Sequence, residues 1–298
     1  MLGACVDSVL AGFTAHKGRG VNSGRLPTAI VQTTVGPVRV YDSNTAGPCV
    51  VFVPDGPNVI EHYEALFALL TPRLRVVCFD MPGFGFSPPQ RNYEHSLVQG
   101  ANAVLGVLDA VGVECATLAF SCANGFYAMR AARLAPSRVT SLVLAQTPSL
   151  TAMRAWTDRV IPWPIRVPVV GQVFVWTLRK RIAHGWYDVA LPKGADSGPY
   201  RDTARRALVD GACNCLAGVV QGLARERVDA VAGLALPCIM VWGPQDRSHR
   251  YTDPGSLHDC IPGAEIVAFD ECGHFPDLES PVRYAEILFA HLARHARD

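Results

Sequence analysis

The stretch "TLAFSCANGF", residues 117–126, sets two potential nucleophiles side by side at the end of an apolar run, Ser121 and Cys122. A hydroxyl or thiol becomes an effective nucleophile when a nearby base takes its proton and a third group orients that base. Residue types suited to those two tasks lie far downstream. "VWGPQD" ends another apolar run with Asp246, and "DECGHFPDLESP" carries His274. On local sequence alone, which of Ser121 and Cys122 attacks, if either does, stays open. A side chain on a sharp strand-to-helix turn projects into a cleft at a helix N-terminus, where the helix dipole and a neighbouring histidine favour thiolate.

The elements needed to bring these residues together are legible in the hydrophobic pattern. "TAIVQTT" and "VRVYDS" read as an opening antiparallel pair, followed by the apolar strands "CVVFVPD", "LRVVCFD", "ATLAFS", "VTSLVLAQ", "CIMVWG" and "EIVAFD". Unbroken apolar strands of this kind belong in the middle of a mostly parallel sheet. Helical periodicity falls between them, over residues 62–71, about 93–111, 123–135 and 277–293. The alternation predicts an α/β domain with its chemistry on loops at the strand C-termini. From 149 to 233 no strong strand occurs, yet the segment holds Trp156, Trp163, Trp176 and Trp186, four of the five tryptophans. It reads as a helical cap, which divides the chain into 1–148, cap 149–233 and 234–298.

"DMPGFGFS" after a strand, the segment Leu108–Pro136, Asp246 at a strand end and His274 after the last strand together resemble the α/β-hydrolase fold family. The likeness is to its cap-bearing group, which includes epoxide hydrolases, haloalkane dehalogenases and carbon–carbon bond hydrolases. Laid without a gap on the family pattern L-D-A-L-G-I-E-x-V-x-L-V-G-H-S-x-G-G, the nucleophile position falls on Cys122. Choosing Ser121 would need a one-residue slip on both flanks, although its small neighbours Ala119 and Ala123 suit a tight elbow. The resemblance implies His274 as the base and Asp246 as the acid that holds it. His249 is expected to be a solvated loop residue. The oxyanion hole implied by the family has one backbone donor on Ala123. In "PDGPNV" Asp55 stands where relatives carry histidine and Pro57 has no N–H, so either Asn58 supplies the second donor through its backbone or amide, or the hole is weakened.

Composition narrows the field further. The chain has 298 residues, 49% of them hydrophobic and 18% charged, with a net charge of +1. No basic excess points to nucleic acid or an anionic surface. The N-terminus lacks a basic n-region and is not expected to be a signal peptide, nor is any run expected to span a bilayer. A cytoplasmic setting follows as the default. The ten cysteines show no disulfide framework, and several sit in strand-like runs as small hydrophobes. The "CNC" pair, Cys213 and Cys215, has no companion cysteine or histidine cluster at zinc-like spacing, so no metal is expected, and no organic cofactor either. Cys122 is expected to be the thiol most sensitive to alkylation. The expected reaction is hydrolysis of an ester or thioester bond in a small apolar or aromatic acyl substrate, through an acyl-thioester enzyme. The alternatives are an acyltransferase using the same triad and a non-catalytic binding protein of this fold.

Overall fold

The structure is a computed structural model that describes residues 2–15 and 26–295. It begins with a helix, α1 (Leu2–Ala15), that the sequence pattern does not single out. The opening strand pair then forms as expected: β1 (Thr28–Thr33) pairs antiparallel with β2 (Gly36–Asp42). The chain continues through β3 (Cys49–Val53), a 3-10 turn over Ile60–Tyr63, α2 (Glu64–Leu70), β4 (Arg75–Phe79) and the short β5 (Phe84–Gly85). Next come α3 (Leu97–Ala110), β6 (Ala116–Ser121), α4 (Asn124–Leu134) and β7 (Val139–Ala145). After a helical stretch described below, the sheet is completed by β9 (Cys238–Trp242) and β10 (Glu265–Ala268), followed by α10 (Pro276–Glu279) and α11 (Pro281–Arg294).

Eight strands lie in the order β1-β2-β4-β3-β6-β7-β9-β10. From β4 to β10 every pairing is parallel. Alternate residues of one strand feed two separate cores. Val51 and Val53 of β3 pack with α3 and α4 on one face, while Val50 and Phe52 pack with α2 and α11 on the other. A side-chain period of two with both faces covered explains why these strands read as continuous apolar runs. Helix starts are capped where the sequence supplies short hydroxyl residues: Ser96 accepts from the Gln99 N–H before α3, and Ser149 from the Ala152 N–H before α5 (Leu150–Val160).

Between β7 and β9 the chain runs through α5, α6 (Trp163–Arg166), α7 (Val170–Ala190), α8 (Gly198–Val209), the two-residue β8 (Cys213–Asn214) and α9 (Leu216–Arg225). This is the stretch that the sequence sets apart as a cap. β8 pairs with β5, which joins it to the loop after β4. Helix α1 packs on α7, α9 and the short β8. Among the described residues, no helix is long and apolar enough to cross a membrane.

Candidate active site

Cys122 occupies the turn between β6 and α4, with φ +51°. A non-glycine residue in this left-handed region costs about 1–3 kcal/mol and persists only when its surroundings over-determine it. Here they do. The Cys122 N–H donates to the Ala145 carbonyl at 2.7 Å, and its carbonyl accepts from the Gly125 N–H at 3.1 Å and the Thr147 hydroxyl at 3.0 Å. Asn124 ties the turn to the loop after β3 by donating from Nδ2 to the Pro54 carbonyl, at 3.2 Å. The sulfur meets the backbone N–H of Ala123 and is otherwise reached from a cavity of about 600 Å³.

Ser121 ends β6 and takes the opposite side. It is buried, outside the cavity wall, and its hydroxyl donates to Asp277 Oδ2 at 3.5 Å. That carboxylate is also held by the Tyr63 hydroxyl at 2.9 Å. Adjacent residues on an extended chain face apart, so one alone can present its side chain to the cleft.

His274 and Asp246 meet at the loops after β10 and β9. His274 Nδ1 lies 2.5 Å from Asp246 Oδ2, and both side chains are fully buried. The Asp246 carboxylate is enclosed by further donors: Ser248 N–H at 2.8 Å and hydroxyl at 2.7 Å on Oδ1, and Gln146 Nε2 at 3.0 Å on Oδ2. Gln146, just after β7, is itself held by the Gly243 N–H at 2.8 Å and so fixes the orientation of this carboxylate. Burial works against ionisation of Asp246, but attraction to His274 and these hydrogen bonds outweigh it and lower its pKa to about 2. His274 shows the reciprocal effect: burial opposes its charge, and Asp246, with further anionic partners, raises it well above the usual imidazole value.

The other ring nitrogen is where the structure adds most. His274 Nε2 lies 3.0 Å from Oδ2 of Asp55, a residue 219 positions away. The Cys122 sulfur, an Asp55 oxygen and a His274 nitrogen lie within 4.8 Å of one another. The imidazole is therefore held between two carboxylates, with the thiol beside the second. Burial raises the Cys122 thiol and the Asp55 anion raises it further, against the pull of His274. Both effects work against the expected alkylation order. Cys5 and Cys115 are exposed, whereas Cys122 is 6% exposed and its thiolate is disfavoured. Removing the carboxylate charge should release it. Asp55→Asn is expected to speed iodoacetamide modification of Cys122 several-fold at neutral pH, measured by peptide mapping. An unchanged rate would mean that Asp55 carries no charge in the resting protein.

One further expectation changes and another is narrowed. Asn58 donates its backbone N–H to the Asp55 carbonyl at 3.0 Å, and its amide oxygen accepts from the Tyr187 hydroxyl at 2.7 Å. It is buried outside the cavity wall, and its Nδ2 has no hydrogen-bond partner, which leaves the amide nitrogen as its free donor. Gly56, by contrast, lines the cavity beside Asp55, Cys122 and Ala123, and among the described residues no hydrogen bond takes up its N–H. A Cβ there would sit 2.7 Å from the Phe84 ring, so the close approach requires glycine. His249 is not a solvated loop residue. It is 2% exposed, stacked on Trp156 at 4.7 Å and 5.4 Å from the His274 ring. Without ring hydrogen bonds, burial lowers its pKa to about 3, so it is a neutral plate behind His274.

The cavity wall is mainly apolar, with Phe84, Met153, Trp156, Ile165, Phe174 and Trp186. Trp156 and Trp186 line it, whereas Trp163 is 69% exposed and Trp176 stands outside the wall. A larger, more open groove of about 820 Å³ between α1 and residues 88–92 contains no part of the Cys122 cluster.

A sequence profile of the alpha/beta hydrolase family matches residues 50–287. The chain belongs to that family. Among its relatives, a 2-hydroxymuconate semialdehyde hydrolase of Pseudomonas sp. (strain CF600) is 24% identical over 279 residues, covering 85% of this chain and 89% of the relative. Solved structures of alpha/beta hydrolases superpose closely. A putative acyltransferase from Salmonella enterica gives a TM-score of 0.78 at 17% identity, covering 92% of this chain and 99% of that one. The esterase EaEST from Exiguobacterium antarcticum gives 0.71 at 18% identity, with 89% and 99% covered. Likeness at these identities carries the fold, and the chemistry has to be argued from the site.

Proposed function

We propose that the protein hydrolyses an ester or thioester bond of a small apolar or aromatic acyl compound, using Cys122 as nucleophile, His274 as proton shuttle and Asp246 to hold it. The observation that carries this reading is the placement of Cys122. It sits at a left-handed strand-to-helix turn on the cavity wall, within 4.8 Å of His274 and Asp55. Helices α5–α9 act as the cap that supplies the apolar wall.

Chemistry follows from the two carboxylates. In the resting site His274 carries both ring protons, and Cys122 is a thiol. Asp55, whose proton affinity burial raises, takes the thiol proton as the sulfur attacks. The N–H groups of Ala123 and Gly56 receive the developing oxyanion; each such donor is worth about 3 kcal/mol. His274 gives its Nε2 proton to the leaving oxygen or sulfur, and the acyl-thioester forms. Neutral His274 then draws a proton from water, the water oxygen attacks the acyl carbon, and the thiolate leaves. Asp55 returns the proton to sulfur, closing the cycle.

Thiolate leaves a tetrahedral intermediate more readily than an amide nitrogen does, so attack on amides tends to reverse. The test compares kcat/KM for one acyl group carried as thioester, aryl ester and anilide. Thioester and aryl ester are expected to exceed the anilide by orders of magnitude, and anilide cleavage at a comparable rate would contradict the thiol mechanism. The likeness to a putative acyltransferase favours a second reading, in which an alcohol or amine replaces water at the acyl-enzyme. Product analysis with an added acceptor separates the two.

A further inference from the structure

Asp7 in α1, His95 in the loop before α3 and Cys215 at the start of α9 converge outside the catalytic cavity. One Asp7 carboxylate oxygen, one His95 ring nitrogen and the Cys215 sulfur lie within 4.8 Å of one another. The three residues are 4%, 2% and 5% exposed. His95 Nε2 has no hydrogen-bond partner, which is uncommon for a buried imidazole. The residue is also held at φ +55°, a left-handed conformation. Asp7 accepts from Gln172 Nε2 at 3.3 Å and from the Cys215 thiol, so its own needs are only partly met from the protein.

The space between the donors is kept clear. A Cβ on Gly218 would come 2.6 Å from His95 Nε2 and 2.8 Å from Asp7 Oδ2, and one on Gly83 would come 3.1 Å from the Cys215 Cβ. A void of about 70 Å³ borders Asp7, His95, Gln172, Gln221 and Gly218. That exceeds the roughly 10–15 Å³ of accessible space that one water needs.

A carboxylate, an imidazole and a thiolate are the donor types of zinc-class ions, and their charges sum to −2, which neutralises a divalent cation in a buried setting. We propose that Asp7, His95 and Cys215 bind one divalent transition-metal ion of the zinc class, with water from the void completing its shell. Binding exchanges the Cys215 thiol proton for the metal and ties α1 to the helices over the catalytic cavity. The site is separate from Cys122, and its test reads the metal rather than turnover.

The full chain, freed of metal by a chelator, is titrated with Co2+ alone. One equivalent is expected to produce near-ultraviolet thiolate-to-cobalt charge-transfer absorption, which Zn2+ then bleaches by displacement. The band should persist in Cys122→Ser and Cys213→Ser and vanish in Cys215→Ser, with at least tenfold weaker binding in Asp7→Asn. Zn2+ should raise the thermal midpoint of the unaltered protein by several degrees and that of Asp7→Asn by clearly less at the same concentration. Should Cys215→Ser fail to fold, His95→Gln takes its place. No band at stoichiometric Co2+, or a band that follows Cys122 instead of Cys215, would overturn the proposal.

Discussion

Cys122→Ala is expected to abolish turnover of every acyl substrate, a loss on the order of 10⁴-fold or more in kcat. That corresponds to about 5 kcal/mol of transition-state stabilisation. The size follows from the covalent role: without sulfur the oxyanion donors and apolar wall still bind substrate, but no acyl-enzyme can form. Ser121→Ala is the matched control, since its hydroxyl meets Asp277 away from the cavity, and it should retain near-normal activity. Circular dichroism and the thermal midpoint would show both proteins folded. Were Ser121→Ala the silent variant and Cys122→Ala active, the nucleophile would be the serine and the proposed mechanism would fall.

Asp246→Asn should lower kcat by about 10³ to 10⁴-fold while leaving KM nearly unchanged. The carboxylate holds the protonated His274 and is itself fixed by Ser248 and Gln146. An asparagine has two ways to fit, and both are poor. With its amide nitrogen on the Oδ2 side it turns a donor toward Gln146 Nε2 and His274 Nδ1–H; flipped, it turns that donor toward the Ser248 N–H. In either case the imidazolium loses one of its two counter-charges and keeps only Asp55. Stability should respond to pH as well. Asp246 has a folded pKa of about 2, below its ordinary 3.8. The stabilisation it contributes, on the order of 2 kcal/mol, is therefore present above the ordinary value and lost as pH falls toward 2. Asp246→Asn should lack this acid-side loss, which denaturant titrations of both proteins between neutral and acid pH would measure. A wild-type-like kcat in Asp246→Asn would remove the residue from the proposed triad.

The sequence by itself determined the frame on which these residues stand. Buried strands with two covered faces read as unbroken apolar runs, and helices announce themselves by period, so β1–β4, β6, β7, β9 and β10 and the helices between them were legible, whereas the two-residue β5 and β8 were not. The turn that carries Cys122 was legible too, because strand, turn and helix are contiguous and the flanks of Leu108–Pro136 align without a gap. Asp246 and His274 stand directly after strands and share that advantage. Tertiary structure decided what surrounds them. Nothing near "PDGPNV" signals that Asp55 reaches His274 Nε2, since the contact joins loops 219 residues apart. The same holds for Gln146, whose part as a brace for Asp246 depends on the adjacency of β7 and β9. His249 looked solvated because a histidine in a polar loop carries no mark of burial; Trp156, from the helices above, supplies it. The "CNC" pair lacked metal-like spacing along the chain, and only the docking of α1 brings Asp7 and His95 to Cys215. Local order follows from short-range sterics and periodicity, whereas protonation depends on which charges meet in the dry interior, and chain folding alone sets those encounters.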